Sequence, residues 1–173
     1  MTLSKFMRGF IDGALSTLGV VVGATAAPAQ IIIAAAVGGT LANGISNVLS
    51  AFSAEGIQKY AELRGVERAM VARRLDGTAR HRQITGITFR AGLVDGGATV
   101  LGGSIPIIPY LMAPPFQAML IAIGLVLALA LLLGVYLGHI SRKNMALSAL
   151  KMAAFAVLVA GLVYLIQNVI VPR

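Results

Sequence analysis

Long apolar runs broken by short polar connectors recur five times along this chain. A helix crosses the hydrocarbon core of a bilayer with about 20 apolar residues. Residues 9–25, 31–50, 91–112, 116–137 and 152–171 meet or approach that length and predict five transmembrane helices. The fourth, rich in Leu and Ala, carries the strongest signal; the first is short and interrupted by Asp12. Residues 55–75 also read as helix and extend the second span beyond the bilayer, with Asp76-Gly77 supplying the turn that ends it. The expected fold is all-α: one transmembrane domain over residues 1–173, with a basic helical loop over 51–90.

Composition sharpens the pattern. Hydrophobic residues make up 58% of the chain and charged residues 12%, against about half and about a quarter in soluble domains. That excludes an ordinary water-soluble domain and a disordered chain. With no Cys, disulfides, iron–sulfur clusters and thiolate metal sites are excluded. The net charge of +8 is distributed unevenly. Lys5 and Arg8 precede the first span, eight basic residues from Lys59 to Arg90 lie in the long loop, and Arg142, Lys143 and Lys151 flank the fifth span. The connectors at residues 26–30 and 113–115 carry no charge. Basic residues resist translocation, so the N-terminus is expected in the cytoplasm and the C-terminus outside, leaving only Arg173 on the outer face. The basic excess is then a topology signal, with anionic lipid headgroups as a secondary partner and no nucleic acid. The N-terminal stretch has the outline of a secretory leader, but Asp12 within it favours a retained span.

The few polar residues inside the spans carry the chemistry. Ile11-Asp12-Gly13-Ala14-Leu15-Ser16-Thr17-Leu18-Gly19 is echoed, at constant offset, by Val94-Asp95-Gly96-Gly97-Ala98-Thr99-Val100-Leu101-Gly102. Each copy places an Asp, then a hydroxyl one turn on, then a Gly, along one helical face: Asp12, Ser16, Gly19 and Asp95, Thr99, Gly102. Transporters are often built from such repeats, with the site between them; a chance match between apolar helices is the alternative. The second span bears its own stripe of Thr40, Asn43, Asn47 and Ser50 among glycines, readable as interhelical glue or as ligands. A carboxylate within a span costs roughly 2.5–3.5 kcal/mol on insertion scales and usually marks an ion or proton path. The competing reading pairs Asp12 with Arg8 and Asp95 with Arg90 near the interface.

Other chemistry is sparse. His81 and His139 lack partners at metal-ligand spacing. The methionines form no cluster, and Glu55, Glu62 and Glu67 read as a solvated face. Asp76-Gly77-Thr78-Ala79-Arg80 approaches the signature of CDP-alcohol phosphotransferases but is one residue short and lacks the paired acidic residues. No nucleophile–base set or phosphate loop is present, so no enzyme and no resident cofactor are expected.

Three stretches resemble the vacuolar iron transporter family: Phe10-Ile11-Asp12-Gly13-Ala14-Leu15-Ser16-Thr17-Leu18-Gly19, Ala42-Asn43-Gly44-Ile45-Ser46-Asn47 and Gly102-Gly103-Ser104-Ile105-Pro106-Ile107-Ile108-Pro109-Tyr110. The resemblance implies a homodimer that moves Fe²⁺ and similar ions, often by proton antiport, with Asp12 as a ligand on the path. It also implies a short prokaryotic form, because the family's Glu-rich cytoplasmic helices are reduced here. In the family a Met stands where Asn47 falls and an acidic residue stands near Gly39. Amide and carboxylate oxygens suit harder ions than a thioether does, so Mn²⁺ joins Fe²⁺ as expected cargo.

The expected function is a multi-pass plasma-membrane transporter exporting a divalent metal ion in exchange for protons. Asp12, Asn43, Asn47 and Asp95 are its expected metal ligands, and Ser16, Thr40 and Thr99 line its path. The alternative is a non-transporting membrane scaffold or subunit whose basic loop binds a partner or anionic lipid.

Overall fold

A computed structural model describes residues 2–69, 79–142 and 144–170. Arg73, Arg74 and the Asp76-Gly77 turn lie outside the described residues. Among the described residues the chain is helical throughout: α1 (Thr2–Gly23), α2 (Ala29–Ala69), α3 (Ala79–Ser104), a 3₁₀ segment (Ile105–Leu111), α4 (Pro115–Ile140) and α5 (Met145–Ile170). Each of the five α-helices contains a stretch long and apolar enough to cross a membrane.

Several elements differ in outline from the sequence pattern, and α3 and α5 start early, at Ala79 and Met145. Helix α1 starts at Thr2 rather than at residue 9, so Lys5 and Arg8 are helical and their positions relative to the other helices are fixed. The third apolar run does not stay α-helical: it tightens to 3₁₀ geometry at Ile105. Pro106 and Pro109 explain the change, since neither has an N–H to donate to an α-helical bond. Helix α2 continues past its apolar part to Ala69, as expected of a span extended by a polar helix.

Helix α1 touches all four other helices, and α3 packs extensively against both α1 and α2. Its glycines explain how. A Cβ at Gly13 would overlap the Thr99 carbonyl, one at Gly9 the Asp95 carbonyl, and one at Gly102 the Phe10 carbonyl. On the other side Gly92 and Gly96 lie against the backbone of Val48 and Gly44. Small residues at such crossings let backbones touch, which is how helices associate where the hydrophobic effect is weak. The order of these contacts makes α3 parallel to α1 and antiparallel to α2. Helices α4 and α5 form an antiparallel pair, with Gly134 against Ala149 and Gly138 against Met145.

The apolar core sits toward the end away from the basic residues. Leu18, Val21, Val22, Ile32, Ile107 and Val126 meet there. The Tyr110 hydroxyl donates to the Val21 carbonyl at 3.1 Å, tying the 3₁₀ segment to α1. Packing at the opposite end is left to glycine contacts and to polar pairs.

Candidate functional site

Four of the residues singled out from sequence converge on the α1–α2 face. Asp12 and Ser16 are one turn apart on α1, and Asn43 and Asn47 one turn apart on α2, so each pair stacks on one side of its helix. Asn43 Nδ2 donates to Asp12 Oδ2 at 3.1 Å and to Ser16 Oγ at 2.9 Å. Asn47 Nδ2 donates to the same carboxylate oxygen at 2.8 Å and to Thr99 Oγ1 on α3 at 2.8 Å. Thr99 is buried, and its own hydroxyl donates to the Asp95 backbone carbonyl at 2.9 Å. An ionised carboxylate only accepts hydrogen bonds and an amide NH₂ offers two donors, so both amides spend both N–H groups on this cluster.

Asp12 and Ser16 are exposed, while Asn43 and Asn47 are half-buried. The site therefore forms an open polar face on a membrane-spanning bundle. No group of three His, Cys, Asp or Glu able to hold a metal occurs among the described residues. A cation here would meet one carboxylate, two amides and hydroxyls.

Two residues expected in this site are placed elsewhere. Thr40 is buried and shares a 2.6 Å hydrogen bond with Thr17, which the sequence reading did not single out. Both hydroxyls lie against Gly103, so the pair joins α1 to α2 behind the face. Asp95 turns into the α1–α3 seam, 1% exposed. Its Oδ2 is paired with the Arg8 guanidinium, and its Oδ1 has no hydrogen-bond partner. In place of the pairings within each helix that the competing reading offered, Arg8 with Asp12 and Arg90 with Asp95, the structure has an ion pair between helices, Arg8 with Asp95. The cause is the parallel α1–α3 packing, which brings the Gly9 turn level with Asp95. The signal available in the sequence was the spacing Gly9-x-x-x-Gly13 and Gly92-x-x-x-Gly96, two small-residue crossings in α1 and α3.

That pair carries a stability prediction. Removing one partner of a buried ion pair costs roughly 3–5 kcal/mol, because the other charge is stranded. Arg8 is 67% exposed, which moves the expectation to the lower end. Arg8→Gln should therefore lower the thermal unfolding midpoint in detergent clearly. The double variant Arg8→Gln/Asp95→Asn should recover most of the loss. A double variant no better than the single one would show that the charge balance is unimportant.

A family model described as the VIT family matches residues 57–168. The chain belongs to the VIT family, the vacuolar iron transporter family. The match spans α3 with Asp95 and Thr99, the Gly–Pro–Pro stretch, α4 and α5; Asp12, Asn43 and Asn47 lie before it. An uncharacterized protein of Methanocaldococcus jannaschii is 39% identical over 165 residues, covering 94% of this chain and 86% of the relative. VIT membership and five membrane-crossing helices make this a multi-pass membrane protein of a metal-ion transporter family.

Proposed function

We propose that the protein exports a divalent cation of the Fe²⁺ and Mn²⁺ class from the cytoplasm across the plasma membrane, in exchange for protons. The observation that carries this reading is the convergence of Asn43 and Asn47 on the Asp12 carboxylate. With the site empty, amide N–H groups compensate the carboxylate. An incoming cation takes their place, and each amide rotates to offer its carbonyl oxygen instead. Ser16 and Thr99, hydrogen-bonded to the same amides, steer that rotation. Exchange of metal for proton at Asp12 avoids an uncompensated charge in a dry path. Asp95, held by Arg8, serves as a structural neighbour and not as a ligand.

The open face supports a second element of the proposal. An exposed Asp12 facing lipid would incur roughly the 2.5–3.5 kcal/mol insertion cost of a mid-membrane carboxylate. A second copy laid against α1 and α2 removes that cost and closes the path between the two subunits. Beside Asn43 and Asn47, helix α2 exposes the small residues Gly39, Ala42, Ser46 and Ser50, which let a second helix approach closely. The basic ends of the helices face the cytoplasm in this arrangement.

The test is metal flux into or out of liposomes, with and without a pH gradient. Fe²⁺ or Mn²⁺ movement that speeds up with an opposing proton gradient is the expected result. No flux of either ion would sink the proposal. Asn47→Met exchanges an amide for a softer thioether. It should shift preference toward Fe²⁺ over Mn²⁺ by roughly tenfold, read from competing fluxes. An unchanged ratio would remove Asn47 from the ion's coordination.

A further inference from the structure

A groove of about 600 Å³ opens at the basic end of the bundle, between the start of α1, the end of α4 and α5. No residue of α2 or α3 lines it, so it lies apart from the Asp12 site. Its walls are apolar, including Met7, Ile11, Leu137 and Met152, and its polar lining includes Arg8 and Ser141. The volume falls within the roughly 300–1,000 Å³ range of small-molecule sites. Arg142 follows Ser141 and Lys151 precedes Met152, and both side chains are exposed. Arg8 uses its Nη2 on Asp95. A guanidinium has five N–H donors, and this one is two-thirds exposed, leaving donors for an outside anion. Asp95 balances Arg8 on one wall, but the α4–α5 side carries only positive charge: residues 96–173 contain no Asp or Glu at all.

We infer that this groove binds a membrane phospholipid with an anionic headgroup: the acyl chain lies along the apolar walls and the phosphate sits among Arg8, Arg142 and Lys151. Charge complementarity selects the headgroup, since each Lys or Arg near the surface adds attraction for an anionic lipid. Position selects a lipid over a soluble anion. The groove lies at the ends of membrane-spanning helices, flanked by Leu3, Phe6 and Ile140, all exposed apolar side chains. A water-soluble phosphate would find a basic mouth but gain nothing from the walls.

The chain has no Trp, so one introduced Trp reports on its own surroundings. Full-length protein carrying Ile140→Trp is placed in phosphatidylcholine vesicles, and guest lipids with brominated chains quench its fluorescence. Tyr136→Trp, an aromatic exchange on the same exposed helix end, is a second reporter should the first fail to fold. Phe116→Trp at the far end of α4 is the control. Brominated phosphatidylglycerol should quench the groove reporter at about fivefold lower mole fraction than brominated phosphatidylcholine, with near parity at Phe116→Trp. Arg142→Gln/Lys151→Gln, and separately the charge-balanced Arg8→Gln/Asp95→Asn, should each reduce that preference. Inorganic phosphate in the buffer should leave it unchanged. Equal quenching by the two lipids at the groove, or equal preference at both ends, overturns the inference. Loss of the preference on adding inorganic phosphate overturns it too, in favour of a free anion.

Discussion

Replacing Asp12 by Asn should abolish metal flux, reducing it roughly 100-fold or more, while the protein still folds and inserts. The side chain keeps its size and can still accept from Asn43 and Asn47, whose Nδ2 groups lie 3.1 and 2.8 Å from Oδ2. What disappears is the only carboxylate in the cluster. Two charges about 4 Å apart attract by roughly 4 kcal/mol at the effective dielectric near a protein surface, and each 1.4 kcal/mol is about tenfold in affinity. Amide and hydroxyl oxygens alone leave a divalent ion poorly compensated. Liposome flux of Fe²⁺ and Mn²⁺ is the measurement, with thermal unfolding of the same preparation as the control. Flux within a few-fold of wild type would remove Asp12 from the path and with it the proposed site.

The second large effect is expected from a methyl group. Gly13→Ala places a Cβ against the Thr99 carbonyl oxygen and close to the Gly103 backbone. Backbone cannot swing aside as a side chain can, so α1 and α3 must separate. Overpacking typically costs 1–3 kcal/mol, and a clash of this kind should reach about 3 kcal/mol. Gly97→Ala is the matched control, since no atom lies within 4 Å of its added Cβ and alanine is the better helix former. The two variants should move the unfolding midpoint in opposite directions. Equal midpoints would mean that the α1–α3 contact is loose in the membrane. Gly13→Ala also displaces Thr99 from Asn47, so its flux should fall along with its stability.

The architecture was legible because length and hydropathy suffice to predict membrane-crossing helices. The convergence of Asp12, Ser16, Asn43 and Asn47 was legible in part, because helical spacing places polar residues on stripes. Which stripes meet is a matter of packing, and there the sequence reading separated from the structure. Asp95 looked equivalent to Asp12 because their surroundings repeat, yet one is exposed and the other buried. The two residues sit on different sides of their helices: Asp95 faces the α1–α3 crossing, whereas Asp12 lies on an exposed side of α1. The competing reading pairs Arg8 with Asp12, one turn away, but the contact between helices claims it for Asp95. Thr40 belonged to the right stripe by count and to the wrong face by rotation, and Thr17 was overlooked because an isolated Thr in an apolar helix carries no signal of its own. The groove at the basic end depends on three helix ends that are far apart in sequence.

Helix α3 also limits what can move. Glycine-to-backbone contacts join it to α1 on one side and to α2 on the other; the Asn47–Thr99 bond crosses the α2–α3 seam, and the Thr17–Thr40 bond ties α1 to α2. These three helices therefore behave as one plate, with the proposed cation ligands fixed to its surface. A cycle that opens the path first to one compartment and then to the other has to work at the margins of that plate. In the proposed dimer it can tilt one plate against the other or swing the α4–α5 hairpin, but it cannot slide α1 past α2. The ion is then handed across without its ligands parting from one another, as on the palm of a hand that turns while the fingers stay still.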